Sequence, residues 1–180
     1  MACFSTLGHA RNGRAAETDL LSAIHDDGKG FVGIHSATIT FTGWPKYGEM
    51  IGAGILMSIP GQRLMPPSCR RRCLPGDEAM ASIFVLKDEI YQIRNFWRDK
   101  VRVLMRLDAN KVDLNQQARP SEGPGLCRDL GQNVRQRPRV YSTLGHPGRN
   151  SDLRNVGHVG RGIKWAMRLV DADVTPRPAS

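Results

Sequence analysis

A chain of 180 residues with 40% hydrophobic content is long enough for one domain with a buried core, and its 19 glycines and 11 prolines imply many turns. The net charge of +9 raises nucleic acid as a partner, but the excess is mostly arginine, spread over two Pro/Gly-rich stretches rather than along one periodic face, which argues against specific nucleic-acid binding. No apolar run follows a basic start, and no stretch approaches the roughly 20 apolar residues that span a bilayer, so a signal peptide and a membrane partner are not expected and the cytoplasm is the default compartment.

Residues 1–17 carry no clear pattern. Residues 18–27 read as a short helix, with Leu20, Leu21 and Ile24 on one face and Gly28 suited to cap it. The run G-F-V-G-I-H that follows, Gly30 to His35, suits a buried strand of an α/β sheet, so helix, tight turn and strand make half of a βαβ unit. Residues 36–42 read as a polar loop. Trp44-Pro45 opens the next helix, with Pro45 in its first turn, Tyr47, Met50 and Ile51 as its apolar face, and Gly52 and Gly54 at its end. Residues 57–80 have neither period and read as irregular. Two short β-prone runs flank Lys87-Asp88-Glu89. Residues 101–107, V-R-V-L-M-R-L, alternate apolar side chains with Arg102 and Arg106, which predicts a strand with one wetter face. The four-residue ladder Arg94, Arg98, Arg102, Arg106 accordingly reads as a solvated edge. Residues 116–138 lack a period. Residues 139–144 form a strand followed by G-H-P, and residues 160–169 a helix with Ile163, Trp165, Ala166 and Leu169 as its stripe.

The cysteines are Cys3, Cys69, Cys73 and Cys127, and only Cys69 and Cys73 stand close together. A structural zinc site wants four ligands in paired clusters, and no second pair exists, so free thiols in a reducing compartment are expected.

Four stretches occur in one order: G-F-V-G-I-H-S-A-T with W-P-K-Y-G-E; D-E-I-Y-Q; R-D-K-V-R-V-L-M-R-L-D; and R-V-Y-S-T-L-G-H with the later I-K-W-A-M. Together they resemble the ThuA-like (trehalose utilisation) family of the class I glutamine amidotransferase-like superfamily, over residues 19–54, 83–114 and 139–176 of a single domain. The resemblance implies an α/β fold, a Rossmann-like or flavodoxin-like three-layer sandwich, and a role in carbohydrate metabolism. The irregular stretch 1–17 precedes these blocks, and the irregular stretches 57–80 and 116–138 lie between them. Their Arg, Pro, Gly and Cys content looks like out-of-frame translation of a GC-rich gene, so an incomplete, truncated or frame-disturbed member is expected.

In open α/β sheets ligands sit beyond the carboxyl ends of the strands. Two of the expected strands end in histidine, His35 and His146, and imidazole titrates near neutral pH, so the pair is a candidate acid/base or ligand set. Ser36 is a candidate nucleophile with His146 as its base, or a hydroxyl capping the loop. Glu89 is a candidate general acid, or completes a His/His/Glu zinc set, or is a solvated carboxylate. No other cofactor is expected. Trp44 and Tyr47 either stack on a sugar or pack in the core. Glutamine amidotransferases carry a nucleophilic Cys in a G-x-C-x-G elbow and a His-Pro-Glu after a late strand. Here G-I-H-S-A puts His35 at the Cys position, where imidazole forms no thioester, and His146-Pro147-Gly148 lacks the carboxylate. Cys-dependent glutaminase chemistry is therefore not expected, and the residues do not decide whether the chain is an enzyme. The expected function is binding or transformation of a small-molecule sugar, trehalose or a related disaccharide, in a crevice at the strand ends. The alternative is a non-catalytic remnant or binding module of the same fold. Nothing in the pattern fixes an oligomeric state.

Overall fold

The computed structural model describes residues 3–5, 14–41, 43–54, 68–71, 83–85, 94–97, 99–107, 127–134, 137–144 and 153–176. The elements in chain order are β1 (Cys3–Ser5), α1 (Arg14–His25), β2 (Phe31–Ile34), a short 3-10 helix (His35–Ile39), α2 (Pro45–Ile51), β3 (Ala53–Gly54), β4 (Ser68–Arg71), β5 (Ile83–Val85), β6 (Arg94–Phe96), β7 (Arg102–Leu107), β8 (Cys127–Val134), β9 (Arg137–Ser142) and α3 (Leu153–Ala166). This is an α/β fold. The main sheet has the order β1-β2-β9-β8-β7-β4-β5, and β3 pairs with β6 in a separate two-stranded ribbon.

β1, α1 and β2 make a βαβ unit, because β1 and β2 pair in parallel, with Cys3 opposite Phe31. β2 pairs in parallel with β9, from Phe31 opposite Arg139 to Ile34 opposite Ser142. From β9 outward every pairing is antiparallel. The sheet is thus parallel at one end and antiparallel at the other.

Side-chain alternation along β2 and β9 sends Phe31 and Tyr141 to one face and Val32 and Val140 to the other. On the first face they meet Ile24 of α1 and Tyr47, Met50 and Ile51 of α2. On the second they meet Ile163, Trp165 and Ala166 of α3, with Val174 beyond it. Burial on both faces explains why β2 reads as an unbroken apolar run. α3 lies so close that a Cβ on Gly30 would sit 2.1 Å from the Ala166 carbonyl oxygen, a position that only glycine can hold. α2 starts on Pro45, whose missing N–H costs nothing in a first turn, and ends on Gly52 at φ 84°, in the left-handed region that favours glycine.

Several expectations need correction. The stretches expected to be irregular at 1–17, 57–80 and 116–138 contribute β1, β4 and β8, and α1 begins at Arg14. These strands are held by backbone pairing to neighbours, which requires no hydrophobic period. Residues 36–39 form a 3-10 helix, not an open loop. α3 begins at Leu153, because packing on the sheet outweighs the poor helix propensity of its three glycines, 157, 160 and 162. Arg102 is not on a wet face. It is 5% exposed, and its Nη1 donates to the Thr175 carbonyl at 3.1 Å, while Leu104, two residues on and on the same face, packs against Val174. The chain after α3 has folded back over this side of β7. Arg98 and Cys73 lie outside the described residues.

Candidate functional site at the carboxyl ends of β2 and β9

The parallel pairing of β2 with β9 brings their carboxyl ends together, at the sheet edge where α/β proteins place ligands. β2 ends at Ile34, and the next residue, His35, has φ 47°. A non-glycine residue in this region costs on the order of 1 kcal/mol, although His tolerates it better than most side chains. The His35 side chain is buried, and its Nδ1 lies 2.9 Å from the carbonyl oxygen of Thr143, the residue after the end of β9. The last turns of two strands more than a hundred residues apart are thus joined through one imidazole.

The 3-10 helix that follows is held by hydroxyls at three successive carbonyls. Tyr141 on β9 donates to the His35 carbonyl at 2.9 Å, and its oxygen lies 3.1 Å from Thr38 Oγ1. Thr40 Oγ1 donates to the Ser36 carbonyl at 3.2 Å. Tyr47 on α2 donates to the Ala37 carbonyl at 2.7 Å. Both tyrosines are almost fully buried. A carbonyl buried with one of them and left without its donor would cost about 1–3 kcal/mol, so these bonds offset the strain at His35. The result is a sharp strand-to-helix turn carrying a left-handed residue, the geometry by which elbows present a side chain at the top of a sheet.

Of the residues expected at the site, His35 sits at the β2–β9 junction and Ser36 follows it, half-buried, in the 3-10 helix. Trp44 and Tyr47 are packed in the core. Their rings stack at 5.9 Å between centroids and 18° between planes, with Phe41 edge-on to both and Phe31 edge-on to Tyr47. Tyr47 is 2% exposed, which leaves no ring face for a sugar. The stacking role expected for this pair therefore gives way to core packing. Glu89 and His146 lie outside the described residues. Among the described residues no three His, Cys, Asp or Glu side chains gather in a group that could hold a metal ion.

Tyr141 and Thr143 are the residues that sequence reasoning missed. Thr143 is fully buried, and its Oγ1 has no hydrogen-bond partner among the described residues. Tyr141, beside Val140 in an expected strand, does carry a signal, because a buried phenol must find a polar partner. Its partner lies across the sheet and is not legible in a linear sequence.

The family model for ThuA, trehalose utilisation, matches residues 5–166. The chain belongs to the ThuA family. Its fold is similar to that of a ThuA-like protein from Bacteroides uniformis ATCC 8492, with a TM-score of 0.68 at 19% identity, over 92% of this chain and 68% of that one. It is also similar to a ThuA-like protein from Parabacteroides merdae ATCC 43184, with a TM-score of 0.69 at 15% identity, over 98% of this chain and 72% of that one. No curated protein matches it. The family relation carries a role in trehalose utilisation at the family level. Among the described residues no helix is long and apolar enough to cross a membrane.

Proposed function

We propose that this ThuA-family chain binds a sugar of the trehalose class at the carboxyl ends of β2 and β9, within a sandwich of the class I glutamine amidotransferase type. The observation that carries the reading is His35, a left-handed, buried histidine tied to the end of the neighbouring parallel strand. Strain persists where the surroundings over-determine it, and such residues cluster at ligand and catalytic sites. His35 stands in the elbow where a glutaminase would carry its thiol, so the chemistry supported is hydrogen bonding and proton transfer to a sugar hydroxyl, not thioester formation. Ser36, beside it in the elbow, and Glu89 and His146 are proposed as further members of the site, with zinc as an optional companion of the histidines.

A thermal-melt screen of the chain against trehalose, related disaccharides and zinc tests this. A melting shift with a disaccharide that disappears in His35→Ala supports the reading. Equal shifts in both chains, or none in either, contradict it. A second reading, a module that binds a sugar without transforming it, is favoured by His146-Pro147-Gly148, which lacks the carboxylate that would orient a catalytic histidine. Binding without product formation over prolonged incubation selects that second reading.

A further inference from the structure

The chain after α3 folds back as a strap. Val174 packs with Leu104 of β7, Val140 of β9 and Trp165 of α3, and Val170 and Ala172 lie against the same cluster. Arg102 Nη1 anchors the strap through the Thr175 carbonyl at 3.1 Å. Gly131 of β8 leaves the notch that receives it, since a Cβ there would stand 3.1 Å from Val174 Cγ1. Residues 171–176 belong to no helix or strand. The sheet thus carries a groove shaped for one known occupant, the last part of this chain.

The hinge between α3 and the strap is poorly matched to its own turn. The Arg168 amide donates to the Trp165 carbonyl and the Leu169 amide to the Lys164 carbonyl, both at 2.8 Å, which closes the helix end. Arg168 therefore takes φ 60°, at the position where helix ends of this type usually carry glycine. The apolar contact that usually accompanies such an end is also missing, because Leu169 is 65% exposed, and Met167 is 45% exposed beside it. A short strained hinge ahead of a terminal segment favours exchange of that segment between copies.

We infer that residues 170–176 exchange between two copies of this chain. In the exchanged dimer Arg168 takes helical angles and α3 runs on through residues 167–169. The strap of each copy then seats against Gly131, Leu104 and Val140 of the other. Every contact of the strap is reproduced, the left-handed Arg168 is relieved, and Met167 and Leu169 of the two copies meet where the hinges cross. The inference is independent of the sugar reading.

The experiment is size-exclusion chromatography with light scattering on the full chain, equilibrated from micromolar to millimolar concentration, beside Arg168→Gly and Arg168→Val. Glycine accepts the left-handed turn and weakens a helix, whereas valine resists that turn. Each dimer straightens two hinges, so the dimer dissociation constant should rise in Arg168→Gly and fall in Arg168→Val, on the order of tenfold in each direction. Both variants lack the guanidinium, so opposite shifts are not explained by its loss. A chain that stays monomeric at every concentration, or a dimer fraction insensitive to residue 168, overturns the inference. Isotope-filtered NMR of a dimer equilibrated from 13C-labelled and unlabelled chains then separates exchange from simple side-by-side contact. Contacts between the methyl groups of Val174 and Leu104 should be seen across the two chains, and contacts within one chain only overturn the exchange. If Arg168→Val does not fold, the unmodified chain and Arg168→Gly still decide.

Discussion

The two ends of the main sheet are built on different terms. At the parallel end, β1 runs through α1 into β2, β9 pairs with β2, and β2 and β9 are buried on one face by α1 and α2 and on the other by α3. At the antiparallel end, β8, β7, β4 and β5 follow one another by backbone pairing, with register shifts between β7 and β8. Residues buried on both faces must be apolar and closely fitted, so few substitutions are allowed. β7 shares in that packing through Leu104 and Met105, while backbone pairing by itself imposes no hydrophobic period on a strand. The candidate site lies at the constrained end, where a strained turn can be held in place by packing from both sides.

That contrast can be broken first at Gly30. Gly30→Val should cost about 3 kcal/mol or more, since the new side chain meets the Ala166 backbone, and chemical denaturation should show little folded protein. Tyr141→Phe should cost about 1–3 kcal/mol in the same assay, by leaving the buried His35 carbonyl without its donor. His35→Asn keeps a residue that tolerates the left-handed region but removes the donor to the buried Thr143 carbonyl, so it should cost about 1–3 kcal/mol and abolish the disaccharide melting shift. Tyr47→Phe should cost less, about 1 kcal/mol, because the Thr40 amide also reaches the Ala37 carbonyl, at 3.3 Å. A sharper form of the comparison is amide exchange. Protection should be highest in β2 and β9 and fall toward β5 at the far edge. Uniform protection across all seven strands would remove the distinction.

The same contrast explains what the sequence made legible. Residues 30–35 stand out because β2 is covered on both faces, and Pro45, Tyr47, Met50 and Ile51 stand out because α2 has one buried face and an unambiguous start. β8, with the sequence C-R-D-L-G-Q-N-V, shows no period, and its backbone pairing with β7 and β9 is not legible in a linear sequence. The wet face expected for β7 was misread at Arg102, since the cover comes from residues 174 and 175, far along the chain. At the site, His35 was visible as the histidine after a buried strand. Its left-handed backbone, its bond to Thr143 and the role of Tyr141 were not, because each depends on which strand lies beside β2. Trp44 and Tyr47 carried the spacing of a helix face, and burial decided in favour of the core.

The most direct test of the account is a crystal structure of the chain soaked with trehalose. The account predicts the sugar at the carboxyl ends of β2 and β9, in contact with the turn that carries His35, and Nδ1 still bonded to the Thr143 carbonyl. A sugar bound at the opposite edge of the sheet, or a His35 ring turned away from Thr143 to contact it, would contradict it.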